Sequence, residues 1–287
     1  MFDWFKKSIA GKFVRGKNSF QPIPAPHWRE ATRAYLFMRG MSPADSEHLR
    51  LLASHFLETK HFSGAAGLEI TELMRTQIAA QACILVLELG LDYFAGWSDI
   101  ILYPGTFVPE REVIDEAGVV HMTRDPLAGE AWLGGPVILS YDDVARASDE
   151  ETRVDGFNVV IHEFAHKLDM LNGAPNGFPP LHKGMRLDAW KRDFMAAYLD
   201  FCKRVDEAEA QPRRTRRIAL DAIAIDPYAA ENPAEFFAVI SEAFFETPDA
   251  VHAEYPAVYM QLKAFYKQDP LQRLARVSNP NGSILAS

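Results

Sequence analysis

The stretch Ile161-His162-Glu163-Phe164-Ala165-His166-Lys167-Leu168-Asp169 carries H-E-x-x-H. On an α-helix, residues four apart lie one above the other, so His162 and His166 can reach a single metal ion while Glu163 faces the same solvent pocket. Two imidazoles and a carboxylate so spaced are the make-up of a zinc-hydrolase centre: the imidazoles ligate, and the carboxylate moves a proton. The helix that must present them is readable from its neighbours. Phe157, Val160, Ile161, Phe164, Ala165, Leu168 and Leu171 recur at helical spacing from about Gly156 to Leu171, with Asn172-Gly173 as the C-cap. At about 100° per residue the histidines fall roughly 130–170° from the centre of that stripe, so the core anchors one face and leaves them on the other.

A catalytic zinc ordinarily has three protein ligands and a water, so a third ligand must come from elsewhere in the chain. Asp169 lies about 10 Å further along the axis than His162, which casts it as an outer hydrogen-bonding or salt-bridging group. No third histidine follows at metzincin spacing, His121 has no ligand spacing around it, and His182 lies close to the Pro/Gly-rich stretch 174–180. Glu231-Asn232-Pro233-Ala234-Glu235-Phe236-Phe237 begins a second helix, with Asn232 as N-cap and Pro233 at its first position. Spacing allows Glu235 two readings equally: a glutamate bonding back to its own N-cap, or a ligand on a helix facing the first. Glu242 follows two turns later on the same side.

The chain has 287 residues, 48% hydrophobic and 24% charged, the balance of a soluble globular enzyme. One domain is expected over 21–275, preceded by a flexible basic arm at 1–20 (Lys6, Lys7, Lys12, Arg15, Lys17) and followed by a flexible tail at 276–287. A net charge of −9 argues against a broad nucleic-acid surface, and Arg213-Arg214-Thr215-Arg216-Arg217 reads as a solvated loop. Cys83 and Cys202 suggest no disulfide framework, no apolar signal segment follows the basic start, and no window is apolar enough to span a membrane, so the expected location is the cytoplasm.

Ser42-Pro43 predicts a helix start, Thr71 to Leu91 a long buried helix behind the histidines, and Leu187 to Arg204 another with an aromatic stripe. Ile100–Tyr103, Val119–Met122 and Pro136–Tyr141 are β-rich runs divided by Gly and Pro. The fold class is therefore α+β, mostly helical, with a small twisted sheet just before the H-E-x-x-H helix. A strand edge there could hold an extended peptide, with Gly134-Gly135 allowing close approach, or could simply be covered.

H-E-F-A-H-K-L-D together with N-P-A-E-F-F-A resembles the Mlc titration factor A family of bacterial zinc peptidases, gluzincins with an active site similar to that of the anthrax lethal factor. Gly67-Leu68-Glu69-Ile70-Thr71 and Gly134-Gly135-Pro136-Val137-Ile138-Leu139-Ser140 extend the likeness over most of the chain. The resemblance implies a zincin-like fold, one Zn2+ per chain held by His162, His166 and Glu235, and Glu163 as the catalytic glutamate. It also implies that Tyr228 points at the metal; from the residues alone, Tyr228 after Asp226-Pro227 packs in a turn. Aminopeptidase-like action on peptides and capture of an Mlc-type transcriptional repressor are further implications, and a structural zinc with four protein ligands is the third alternative. One departure stands out: thermolysin-type gluzincins place an acid four residues after the ligand glutamate, where this chain has Val239. Asp169 and Glu242 are the candidates to orient a histidine in its stead.

Overall fold

The computed structural model describes residues 20–106, 111–114, 120–123, 128–149 and 156–278. Along the chain run α1 (Ala25–Thr32), α2 (Pro43–Thr59), β1 (His61–Gly64), α3 (Glu72–Leu85), β2 (Asp99–Tyr103), β3 (Arg111–Ile114), β4 (Val120–Thr123), β5 (Gly129–Ala131) and β6 (Val137–Ser140). The second half is helical: α4 (Tyr141–Ala147), α5 (Val159–Asp169), α6 (Leu187–Glu209), α7 (Arg213–Asp221), α8 (Pro233–Glu246), α9 (Pro248–Glu254), α10 (Pro256–Tyr266) and α11 (Pro270–Ser278). The architecture is α+β and mostly helical, of the zincin-like kind, with a small mixed sheet ahead of the H-E-x-x-H helix.

That sheet has the order β1-β2-β6-β5, in which β1, β2 and β6 are parallel and β5 returns antiparallel along β6 as an outer strand. Two of its members, β1 and β5, were not anticipated from sequence because each is too short to show a period. Conversely, the Val119–Met122 run does not join it: β4 pairs with β3 in a separate antiparallel hairpin. Gly134-Gly135 lies in the β5–β6 turn, so the strand glycine beside the helix is Gly129 instead.

Capping side chains decide where the helices begin. Ser42 accepts the Asp45 N–H at 3.1 Å to start α2, and Thr71 accepts that of Met74 at 3.2 Å to start α3. The long helix expected to Leu91 ends at Leu85; Gly90, with φ of 91°, turns the chain into a short 3-10 segment at Leu91–Phe94. Helix α5 also starts later than expected, because Asn158 is its cap and accepts the Ile161 N–H at 3.0 Å. It tightens to a 3-10 turn at Met170–Asn172, which leaves Leu171 exposed. The arginine run folds as α7 rather than a loop, yet no residue of it is buried.

Helix α5 is buried almost all round, so its histidine side faces protein instead of open solvent. Its apolar side packs into Phe56, Phe94 and Trp97, whose rings lie 5.7, 5.1 and 5.6 Å from Phe164, and α3 lies behind it as expected. Its other side crosses α8, which is apolar nearly throughout and sunk in aromatic contacts from α6 and α10. The residues of the basic arm before Phe20 and of the tail after Ser278 lie outside the described residues.

Asn158 fastens the crossing. Its backbone N–H donates to Glu242 Oε2, its side-chain Nδ2 donates to Glu246 Oε1 at 2.9 Å, and its Oδ1 caps α5. Asn158→Ala is expected to cost about 2–4 kcal/mol in urea denaturation, the loss of a cap and of a buried donor. Asn158→Asp, which keeps the cap but sets a carboxylate against Glu246, is expected to cost at least as much.

Candidate metal centre

One turn apart on α5, His162 and His166 bring their Nε2 atoms to 3.2 Å of each other. From the start of α8, Glu235 Oε2 reaches to 3.0 Å from His162 Nε2 and 3.3 Å from His166 Nε2. Asn232 Oδ1 caps α8 by accepting the Ala234 and Glu235 N–H groups at 2.9 and 3.1 Å, while the Glu235 carboxylate faces α5 rather than its own N-cap. Among the described residues no fourth His, Cys, Asp or Glu joins these three donors.

The chemistry of the donors says what belongs among them. His162 Nδ1 lies 2.7 Å from Glu242 Oε1, and a carboxylate only accepts, so Nδ1 carries the proton. In the neutral imidazole Nε2 is then a bare lone pair, and it faces a second acceptor, Glu235 Oε2. Two acceptors 3.0 Å apart with little water around them call for a cation. Donor atoms about 2.0–2.1 Å from a tetrahedral zinc ion stand about 3.3 Å from one another. The observed triangle of 3.0, 3.2 and 3.3 Å fits.

Charge pulls in the same direction. Burial works against a charged His162, but Glu242 and Glu235 outweigh it and hold its pKa well above the ordinary value. Burial likewise disfavours a charged Glu235, but hydrogen bonds from His162 and His166 keep its carboxyl below the usual range. Glu163 is buried beside them, and burial raises its pKa to about 8, with His162 opposing and Glu235, Glu242 and Glu130 adding repulsion. It packs directly on β5: a Cβ on Gly129 would come within 2.4 Å of Glu163 Oε1 and 2.8 Å of its Cδ, so any larger residue there would displace the carboxylate.

Glu242 is the group that orients His162. Counting from Glu235 in steps of four, three and four gives Val239, Glu242 and Glu246, one stripe of α8, so the acid absent at Val239 is supplied one turn later. Asp169 does a different job: its Oδ2 accepts the N–H groups of Asn176 and Gly177, both at 2.7 Å, and ties down the loop after α5. Among the described residues, Asp169 Oδ1 and His166 Nδ1 are both buried without a hydrogen-bond partner.

Tyr228 sits in a 3-10 turn, Pro227–Ala230, begun by Asp226 Oδ1 accepting its N–H at 2.9 Å. Instead of packing into the turn, the side chain is 48% exposed, with its ring centroid 6.1 Å from that of His162. His182 is engaged at both ring nitrogens, by the Tyr93 hydroxyl at 3.2 Å and the Phe265 carbonyl at 2.7 Å, far from the donor triangle in role. His121 lies on β4. Asn158 was missed by sequence reasoning although an Asn before an apolar run is a cap signal. Gly129 carries no local signal at all.

The sequence profile of the glucose-regulated metallo-peptidase M90 family matches residues 12–267. Mlc titration factor A of Yersinia enterocolitica is 36% identical over 278 residues, 96% of this chain and 98% of that protein. Mlc titration factor A of Klebsiella pneumoniae is 36% identical over 247 residues, 86% and 88% of the two chains. That of Yersinia pestis is 35% identical over 270 residues, 93% and 94%.

If the triangle holds a divalent ion, Glu242→Gln should weaken it about 10- to 100-fold, the usual effect of removing a carboxylate behind a ligating histidine. Competition with a chelator measures this, and an unchanged affinity would separate Glu242 from the metal. His162→Ala and Glu235→Ala are each expected to lose the ion altogether on elemental analysis.

Proposed function

The chain belongs to the glucose-regulated metallo-peptidase M90 family, and from that premise we propose that it is a zinc-dependent peptide hydrolase, aminopeptidase-like in action. His162, His166 and Glu235 hold one zinc ion per chain in this reading, Glu163 is the general base, and Tyr228 assists. The single observation that carries it is the meeting of three lone-pair donors with a buried carboxylate, Glu163, against an outer strand. When bound, the ion supplies a water whose pKa falls to about 7 and a Lewis acid for the peptide carbonyl.

The chain's own groups do the rest. Glu163 takes the proton of the attacking water and returns it to the leaving amine. Burial raises its proton affinity, and a nearby cation lowers it toward the working range. The Tyr228 phenol, at the rim beside His162, donates to the oxyanion as it develops. An extended peptide lies along β5, held by main-chain hydrogen bonds at the level of Gly129. Removal of single residues from a free N-terminus rests on the family resemblance.

The name shared by the relatives, Mlc titration factor A, favours a second activity for this chain: capture of an Mlc-type transcriptional repressor, with the zinc site secondary. A cytoplasmic location accords with two free thiols, Cys83 and Cys202. No helix among the described residues is long and apolar enough to cross a membrane.

Glu163→Gln separates the two activities. Hydrolysis of short peptides by the zinc-loaded variant is expected to fall by about 10²- to 10⁴-fold, the usual worth of a positioned base, with metal content and repressor capture unchanged. Hydrolysis that survives the substitution removes Glu163 from the role of base.

A further inference from the structure

Lys167 follows the second histidine of α5, yet its side chain is only 4% exposed. Among the described residues it makes no ion pair. Its Nζ donates instead to two main-chain carbonyls of the β5–β6 turn, Trp132 at 2.5 Å and Gly135 at 2.7 Å. It also stands 4.6 Å from the centroid of the Trp97 ring. Lys60 stands 3.6 Å from that same centroid and donates to the Phe94 and Trp97 carbonyls, each at 2.6 Å. Two buried ammonium groups thus share one indole, and one of them is bonded to the turn between β5 and β6.

Burying an ammonium is costly even over an aromatic face when no carboxylate is in ion-pair contact, and Glu163 offsets the burial of Lys167 only from a distance. A methionine of similar length would fill the same space without that cost. A methionine lacks the charge near Glu163 and the pair of donor bonds, and the position of those bonds is informative. The Trp132 carbonyl also accepts the Gly135 N–H at 3.0 Å, while the Trp132 N–H donates to the Pro136 carbonyl at 3.1 Å, so the lysine grips the closing bonds of the turn. That turn follows directly on β5, a strand of three residues, Gly129, Glu130 and Ala131, paired to Leu139, Ile138 and Val137 of β6. So short a strand at the outside of a sheet is weakly held by its ladder alone. At its start it meets the Glu163 carboxylate through Gly129, where no Cβ would fit.

We infer that Lys167 is a positioning residue for peptide hydrolysis: by gripping the β5–β6 turn from α5, it fixes the outer strand at the distance from Glu163 at which an extended peptide presents its carbonyl to the metal centre. Lys60 holds the indole on which that lysine rests. The inference builds on the proposed hydrolysis and on β5 as the strand that receives the substrate.

The test compares the zinc-loaded full chain with Lys167→Met and Lys167→Arg on two substrates, an extended internally quenched peptide and a single-residue alanyl anilide. For Lys167→Met, KM for the extended peptide is expected to rise about tenfold, the worth of a docking hydrogen bond or two, with kcat within about threefold. KM for the anilide, which has no chain to lay along β5, should stay within about twofold. Lys167→Arg, which keeps a charged donor pair, should restore the peptide KM. Equal losses on both substrates, or a wild-type peptide KM in Lys167→Met, overturn the inference. Lys167→Gln, with an amide donor and no charge, replaces the Met variant if that does not fold, and the same split at smaller size is expected. Should the wild type hydrolyse neither substrate, the proposed activity fails, and amide hydrogen exchange then judges Lys167 by itself. Faster exchange over 129–137 with α5 as protected as in the wild type supports it; unchanged exchange refutes it.

Discussion

Three lone pairs held face to face are the constraint on which this structure turns. His162 Nε2 and Glu235 Oε2 are both acceptors once Glu242 has fixed the proton on His162 Nδ1, and they stand 3.0 Å apart with His166 Nε2 alongside. Left without a positive charge among them, such atoms repel, and in a low-dielectric site that repulsion is not shared with water. A proton or a metal cation relieves it. The upward shift at His162 and the downward shift at Glu235 express the same demand for positive charge.

Holding acceptors together against their own repulsion requires a rigid frame, and the crossing of α5 with α8 provides it. Phe164 locks α5 to the aromatic cluster of Phe56, Phe94 and Trp97, while Phe236 and Phe237 lock α8 to the rings of α6 and α10. Between the two helices Asn158 meets Glu242 and Glu246, so buried carboxylates find donors and do not remain bare. On the far side of the site, Gly129 allows β5 to approach Glu163 as closely as backbone can. Two buried lysines brace loops through carbonyl oxygens, Lys167 the turn after that strand and Lys60 the segment that leads into β2.

Family membership gives these features a shared chemical purpose, that of a metallopeptidase. A buried carboxylate beside three lone-pair donors is the arrangement that such chemistry requires.

Much of the site could be read from spacing. H-E-x-x-H fixes two ligand candidates and a base because helical geometry alone stacks residues four apart, and the cap-and-proline start of α8 located the helix that carries Glu235. Local pattern could not choose between Glu235 as a cap and Glu235 as a ligand, since both fit the third helical position. It also ran the buried helices too long at Leu91 and Leu171, took the arginine run for a loop, and placed β4 in the wrong sheet. Chain order therefore determined which side chains could do chemistry. Which of them meet, that Glu242 rather than Asp169 or the residue at 239 orients His162, and that a glycine and a lysine set the strand beside Glu163, was decided only by folding. Those relations join residues up to 80 positions apart, and a contact of that kind leaves no period in the sequence on either side of it.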